Sequence, residues 1–454
     1  MKKIKLKVFS KKIRGDKWTP ILLYEKYVKN EIGFLFESKE QPKGRYSIIG
    51  KKPYKTIKHN LSDRTKNLKY LKRVQNMLEK FPVETGDNPF PFSGGAVGFF
   101  GYDISKTFEN IPNKNNDVIG IPDSELMFFK EFILYDHYHN QVIIVVLEKE
   151  SEEEKALFKI ENIINEIFLE NKGNEGIEEK IKITNFKAHI SKEDYIRDVK
   201  KAKEYIKRGD IFQVVLSQRW SAETESDPFL IYRSLRELNP SPYLFYINFP
   251  DYQIIGSSPE MLVELRNNIV TTCPIAGTIV RGNNEKEDKI NSDKLLNDPK
   301  ERAEHFMLVD LGRNDMGKIA KTGSVNILKL MDVQYYSHVI HLVSLINGEK
   351  RDDLNMFSVL SAFLPAGTLS GAPKIRAMEI IEELETEKRG LYGGSIGYFG
   401  FDGNMDTCIA IRMIIKKNEK LYFQAGAGIV YDSIPEKEYE ETENKIMGMI
   451  KCCC

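Results

Sequence analysis

Glu301 and Glu304 stand three residues apart behind Asp298-Pro299, a pair that starts a helix, with Asp as N-cap and proline at the first helical position. The spacing sets both carboxylates on one helix face, one above the other. Glu438 and Glu441 repeat it behind Ser433-Ile434-Pro435 near the other end of the chain. Two helices that each present two carboxylates can face each other around a hard cation. Oxygen donors without a His/Cys cluster suit Mg²⁺, which keeps several waters and takes one or two carboxylates. Part of this acidity has a plainer use. Glu301 occupies the capping-box position of Asp298, and Glu436 that of Ser433. Paired glutamates on a helix are in most proteins a solvated face, so the neighbouring motifs have to decide.

The chain has 454 residues, 41% hydrophobic and 29% charged, an ordinary soluble globular composition. It has room for about three domains or one large two-lobed unit. A net charge of +1 gives no basic excess pointing to nucleic acid. The N-terminus is basic but lacks the apolar run of a signal peptide, and no segment approaches the roughly 18 apolar residues of a membrane span. Cys273 and Cys408 are scattered and Cys452 to Cys454 end the chain. That is no disulfide framework, and a reducing cytoplasm fits.

The elements that must hold the carboxylates follow from pattern. Residues 24–28 read as helix, and 33–38 and 44–50 as short strands between turn residues. Residues 132–147 read as strand, turn at 137–140, strand. Gly94-Gly95-Ala96-Val97-Gly98-Phe99-Phe100-Gly101-Tyr102-Asp103 returns as Gly393-Gly394-Ser395-Ile396-Gly397-Tyr398-Phe399-Gly400-Phe401-Asp402, identical at six of ten positions. Glycine within a strand marks close backbone approach, and two copies suggest two related β-layers, one from each part of the chain. Residues 150–180 form a Glu/Lys-rich helical connection broken at 172–176. A boundary near 185 separates an N-terminal region, 1–185, from a region 186–451, the two interleaving in one compact unit. Beyond it, a helix from Ser191 carries Tyr195, Val199, Ala202 and Ile206 at helical spacing and stops at Gly209. Strands at 211–218, 243–249, 253–257, 269–273, 394–398 and 421–426 are too close together for crossover helices. The expected class is α+β: two lobes, with antiparallel sheets packed as a sandwich and helices outside.

Motifs crowd the second region: Gly209-Asp210-Ile211-Phe212-Gln213, Ser257-Ser258-Pro259-Glu260, Pro274-Ile275-Ala276-Gly277-Thr278, the Glu301/Glu304 helix running to Arg313-Asn314-Asp315, His338-Val339-Ile340-His341, Pro365-Ala366-Gly367-Thr368, Ile411-Arg412, Ala425-Gly426-Ala427-Gly428, and the Glu438/Glu441 helix. In order and wording this series resembles the chorismate-utilising enzymes, and within them the anthranilate synthase large-subunit family. The likeness extends to Phe36-Glu37-Ser38 and Gly44-Arg45-Tyr46-Ser47, so it covers nearly the whole chain.

The resemblance implies a Mg²⁺-dependent core. Members that add water carry a lysine base where this chain has Gln213, and a glutamine cannot take a proton. Aminodeoxychorismate synthases carry a nucleophilic lysine where this chain has Ala276. Both exclusions are chemical, and they leave direct attack of ammonia on chorismate, followed by loss of pyruvate to give anthranilate. Carried over residue by residue, the resemblance makes Glu304 and Glu441 metal ligands, with Glu301 and Glu438 holding the metal's waters. Glu260 becomes the acid that protonates the departing ring hydroxyl, and His341 serves the pyruvate elimination. Tyr392 and Arg412 hold the enolpyruvyl carboxylate. Gly277, Thr278, Thr368, Gly426, Ala427 and Gly428 line the substrate.

No cysteine stands in a glutaminase-like setting, so the chain needs free ammonium or an amidotransferase partner. The resemblance also implies feedback inhibition by tryptophan, bound by Glu37, Ser38, Pro242, Tyr243 and Leu244, with Phe36 and Leu244 departing from the family's Leu and Met. Two other readings stand beside this one: aminodeoxychorismate synthase component I, and a non-catalytic tryptophan-binding relative, which would be expected to have lost the carboxylates.

Overall fold

The computed structural model describes residues 3–39, 43–83, 90–169, 180–335 and 339–453. The expected break at 172–176, His338 and Cys454 lie outside them. Among the described residues the strands form two antiparallel sheets of 12 and 10 strands. The first runs from Lys7–Arg14 at one edge through Gln141–Glu148, Glu131–Asp136, Tyr46–Lys51, Gly33–Glu37, Tyr243–Asn248, Gln253–Ser258, Met413–Lys417 and Lys420–Ile429 to Gln213–Glu223. The second includes Lys55–His59, Ser124–Phe129, Gly95–Phe100, Ser395–Gly400, Met405–Ile409, Met261–Arg266, Ile269–Thr272, Val339–Glu349 and Ile275–Val280. Each sheet takes strands from both sides of residue 185.

Alternation explains the layering. Phe34 packs between the sheets with Phe99, Phe128, Phe245 and Val263, while Leu35 turns outward to a second core. That outer core holds Leu23 and Tyr24 of the helix Pro20–Tyr27, Ile160 of Glu153–Leu169 and Tyr232 of Pro228–Leu238. The helix Lys192–Lys207 is capped by Ser191 and buries Tyr195, Val199 and Ala202, as its spacing predicts. The result is the α+β sandwich with helices outside.

The repeated glycine segment needs correction. Its copies do not form separate layers; they are neighbouring strands of one sheet, Gly95–Phe100 against Ser395–Gly400, with Gly98 opposite Gly397. A Cβ on Gly98 would stand 2.0 Å from the Glu125 carbonyl oxygen, and one on Gly397 2.0 Å from that of Asp406. Close strand approach forces glycine at both places.

Candidate active site

Two of the passages from one sheet to the other carry predicted site residues. Glu260 lies between Gln253–Ser258 of the first sheet and Met261–Arg266 of the second; Arg412 lies between Met405–Ile409 of the second and Met413–Lys417 of the first. The passages are bonded side by side: Ser257 N–H donates to the Arg412 carbonyl at 3.0 Å, Ile409 N–H to the Glu260 carbonyl at 3.0 Å, and the Ser258 hydroxyl to the Ile409 carbonyl at 2.7 Å. Arg412 has φ 50, a strained conformation for a non-glycine residue, of the kind that persists where surrounding structure over-determines it.

Glu260 borders a small cavity of about 40 Å³ with Thr368, Cys273 and Leu311. The Thr368 hydroxyl donates to Glu260 Oε1 at 3.0 Å. Burial pushes this carboxyl up to about 7, partly opposed by the Thr368 bond. Around neutral pH a large fraction of this group therefore carries a proton it can give away, which a carboxyl in water does not.

Thr368 is itself held in place. Its neighbour Leu369 presents a carbonyl to buried Arg389, which also donates to the Val215 carbonyl at 2.6 Å and to Glu385 Oε1 at 2.6 Å. The Arg389 guanidinium stands 4.7 Å from the Tyr102 ring and 5.9 Å from that of Tyr392. Tyr392 reaches Gly426: a Cβ there would meet its hydroxyl at 3.1 Å. A Cβ on Gly428 would likewise meet the Gln213 amide nitrogen, at 2.7 Å. Gln213 is buried, and its Oε1 has no hydrogen-bond partner among the described residues. Ala427 points its methyl into the helix-side core and so offers the site only backbone.

The acidic helices form as expected. Pro299–Gly317 is capped by the Asp298 carboxylate, which accepts from Lys300 and Glu301 N–H. Pro435–Ile450 carries Glu438 and Glu441, but its cap departs from expectation. Ile434 is the N-cap, and the Ser433 hydroxyl instead accepts from Val430 N–H at 3.0 Å. Proline at the first helical position moves the cap one residue past the serine.

Glu304 and Glu438 feel their acidic neighbours. Burial raises the Glu304 pKa, and the charges of Glu301 and Glu441 raise it further; burial and Glu441 do the same to Glu438. Among the described residues no three His, Cys, Asp or Glu side chains are drawn tightly together as around an ion. Lys445 instead holds Glu441 at 2.6 Å and the Gly426 carbonyl at 2.8 Å. Lys445 and Glu441 line an open cleft of about 520 Å³ with Arg412. An all-oxygen set of mutually repelling carboxylates fits a hard divalent cation.

His341 sits on Val339–Glu349 between buried Ile340 and Leu342 and so faces away from that core. Burial lowers its pKa, keeping the ring neutral at pH 7. His305, one residue after Glu304, is fully buried and bonds Ser344 Oγ at 2.6 Å. It seats the acidic helix on the His341 strand.

The family model for chorismate binding enzymes matches residues 33–451. Anthranilate synthase component 1 of Acetivibrio thermocellus is 48% identical, covering 97% of this chain and 93% of that one. The chain belongs to the anthranilate synthase component 1 family of chorismate-binding enzymes. The Aquifex aeolicus member is 43% identical over 96% of this chain and 92% of its own. The crystal structure of anthranilate synthase component I from Streptococcus pneumoniae superposes with a TM-score of 0.81 at 41% identity, covering 96% of this chain and 98% of that one. The menaquinone-specific isochorismate synthase MenF of Escherichia coli shares the fold, with a TM-score of 0.77 at 18% identity.

This anthranilate synthase component 1 relative has a second cavity, about 300 Å³, between the sheets. Its lining includes Glu37, Ser38, Pro242, Tyr243 and Leu244, together with Arg266 and Asp406. Tyr243 donates to Asp406 Oδ1 at 2.9 Å. Two of the expected side-chain contacts need correction. Glu37 and Leu244 are opposite each other in register, and both side chains point to the helix side of the sheet. The Glu37 carboxylate is taken by Tyr232 at 2.6 Å and by both Nε and Nη2 of Arg236 at 2.6 and 2.9 Å. Alternation from Phe36, which packs between the sheets, puts Glu37 and Leu244 on the outer face, so they wall the cavity with backbone. Sequence reasoning missed Lys445, Arg389, Arg266 and Asp406. Lys445 could have been found, since it lies four residues after Glu441 and so on its face of the helix.

Proposed function

We propose that the chain is a lyase that aminates chorismate with ammonia and eliminates pyruvate to give anthranilate, the first committed step toward tryptophan. The observation that carries this reading is Glu260, a carboxyl whose pKa stands at about 7 under a hydroxyl donor. Departure of a ring hydroxyl needs such an acid. Gln213 and Ala276 bring neither the base for water addition nor the lysine for attack on the ring, which leaves ammonia as the nucleophile.

Arg412 and Tyr392 clamp the enolpyruvyl carboxylate, and Gly277, Thr278, Thr368, Gly426, Ala427 and Gly428 frame the ring. Glu260 gives its proton to the leaving hydroxyl. His341 removes the ring proton in the second step. Glu304 and Glu441 would hold Mg²⁺ directly, and Glu301 and Glu438 through its waters. When bound, Mg²⁺ neutralises the ring carboxylate and spreads charge as the hydroxyl departs. Lys445 balances Glu441 beside that carboxylate.

A glutamine amidotransferase subunit supplies the ammonia. Tryptophan binds the cavity between the sheets and inhibits. We place the enzyme in the cytoplasm; among the described residues no helix is long and apolar enough to cross a membrane. Incubating the purified chain with chorismate, ammonium and Mg²⁺ and watching for anthranilate fluorescence tests the reading.

A further inference from the structure

Thr278 and His341 are cross-strand partners on Ile275–Val280 and Val339–Glu349. The ladder slips beside them. Ala276 pairs with Leu342 and Thr278 with His341, so Gly277 has no residue opposite it. A bulge of this kind bends its strand and re-aims the groups next to it. Gly277 has φ 81, and an added Cβ would meet Glu301 Oε2 at 3.2 Å and Leu295 at 3.3 Å. Only glycine makes this turn without strain.

The turn brings the Gly277 carbonyl to 3.1 Å from Nδ1 of His341, and the Thr278 hydroxyl stands 3.0 Å from the same nitrogen. A carbonyl oxygen only accepts, so Nδ1 must be the nitrogen that carries the ring proton. In the neutral ring the lone pair is then on Nε2.

We propose that the Gly277–Thr278 bulge is a positioning device: it fixes the Nδ1–H tautomer and the plane of His341, making Nε2 the base of the elimination. This rests on the assignment of His341 to that step. Nε2 takes the proton from the ring carbon that bears the new amino group. The C–H electron pair enters the ring as it becomes aromatic. The C–O bond on the adjacent carbon breaks, and enolpyruvate leaves with that bond's electrons and becomes pyruvate by taking a proton on carbon from water. Thr278 is the second acceptor of the Nδ1 proton, and without its hydroxyl Nδ1 is held by the Gly277 carbonyl less firmly.

The test compares Thr278→Val, which keeps shape and loses the hydroxyl, with Thr278→Ser, which keeps the hydroxyl. Each is mixed rapidly with chorismate, ammonium and Mg²⁺, and both the aminated intermediate and anthranilate are quantified. Wild type must form anthranilate and His341→Ala must accumulate the intermediate; failure of either removes the reading beneath this inference and the inference with it. With those in hand, Thr278→Val should shift the ratio of intermediate to anthranilate upward by roughly tenfold, the scale of lost support for a working histidine. Thr278→Ser should return it near wild type. Parallel loss of both steps, an unchanged ratio, or a serine variant no better than valine would overturn the proposal. ¹⁵N NMR of histidine-labelled wild-type protein reads the tautomer without relying on any variant. A protonated Nδ1 and unprotonated Nε2 at His341 supports the proposal, and the reverse overturns it.

Discussion

The Thr368 hydroxyl lies 3.0 Å from Oε1 of Glu260 and donates to it, a contact that stabilises the ionised form of this carboxyl. Burial outweighs it and holds the pKa at about 7. An acid must be protonated to act, so the rate should be full below that value and fall as pH rises through it. Thr368→Val removes the stabilising contact, raises the pKa further and should move the falling limb to higher pH. A pH–rate profile of wild type and variant checks this. A limb that does not move, or moves down, contradicts it.

Glu304→Gln and Glu441→Gln should each lower kcat/KM by at least about 100-fold, because even groups one shell removed from a metal cost about 10–100-fold. Glu436→Gln, on the exposed first turn of the same helix as Glu441, should change it little. Steady-state kinetics across a Mg²⁺ titration decides. Similar mild losses in all three would make these glutamates a solvated face.

Ser38 lines the cavity between the sheets. Ser38→Arg should fill it and raise the tryptophan concentration needed for half-inhibition at least tenfold. Inhibition requires that tryptophan bind one arrangement of the enzyme better than another. A wild-type rate indifferent to millimolar tryptophan would remove the regulatory reading and leave the chemistry standing.

Glu37 should behave differently from Ser38. Its carboxylate is the buried end of a clasp with Arg236 and Tyr232, and breaking a buried pair costs about 3–5 kcal/mol. Glu37→Ala should therefore lower stability by about 3 kcal/mol, since Arg236 keeps some solvent contact, 22% of its side chain. Urea unfolding of the variant measures it. A variant as stable as wild type but blind to tryptophan would restore Glu37 as a ligand group.

Much of this was legible in residue order. The Asp298-Pro299 start, the Ser191 cap and the apolar spacing of Lys192–Lys207 are local chemistry, and local chemistry reads directly. What escaped was long-range pairing. Nothing in the repeated glycine segments says that they lie side by side, because register is set by partners some 300 residues away. The same gap turned Glu37 and Leu244 the wrong way: a strand alternates visibly, but which face is inward depends on which sheet covers it. Glu260 was placed by motif, yet its raised pKa comes from burial that no stretch of sequence displays. Arg389 went unseen because the Val215 and Leu369 carbonyls that take its guanidinium come to it only in the fold, although Glu385, four residues before it, was a local hint.

The most direct measurement takes the purified chain with chorismate and Mg²⁺ and supplies either ammonium or glutamine. With ammonium, anthranilate and pyruvate should appear in equal amounts; with glutamine alone, neither should form. Accumulation of 4-amino-4-deoxychorismate as the final product, or glutamine-dependent turnover by the chain alone, would contradict the account.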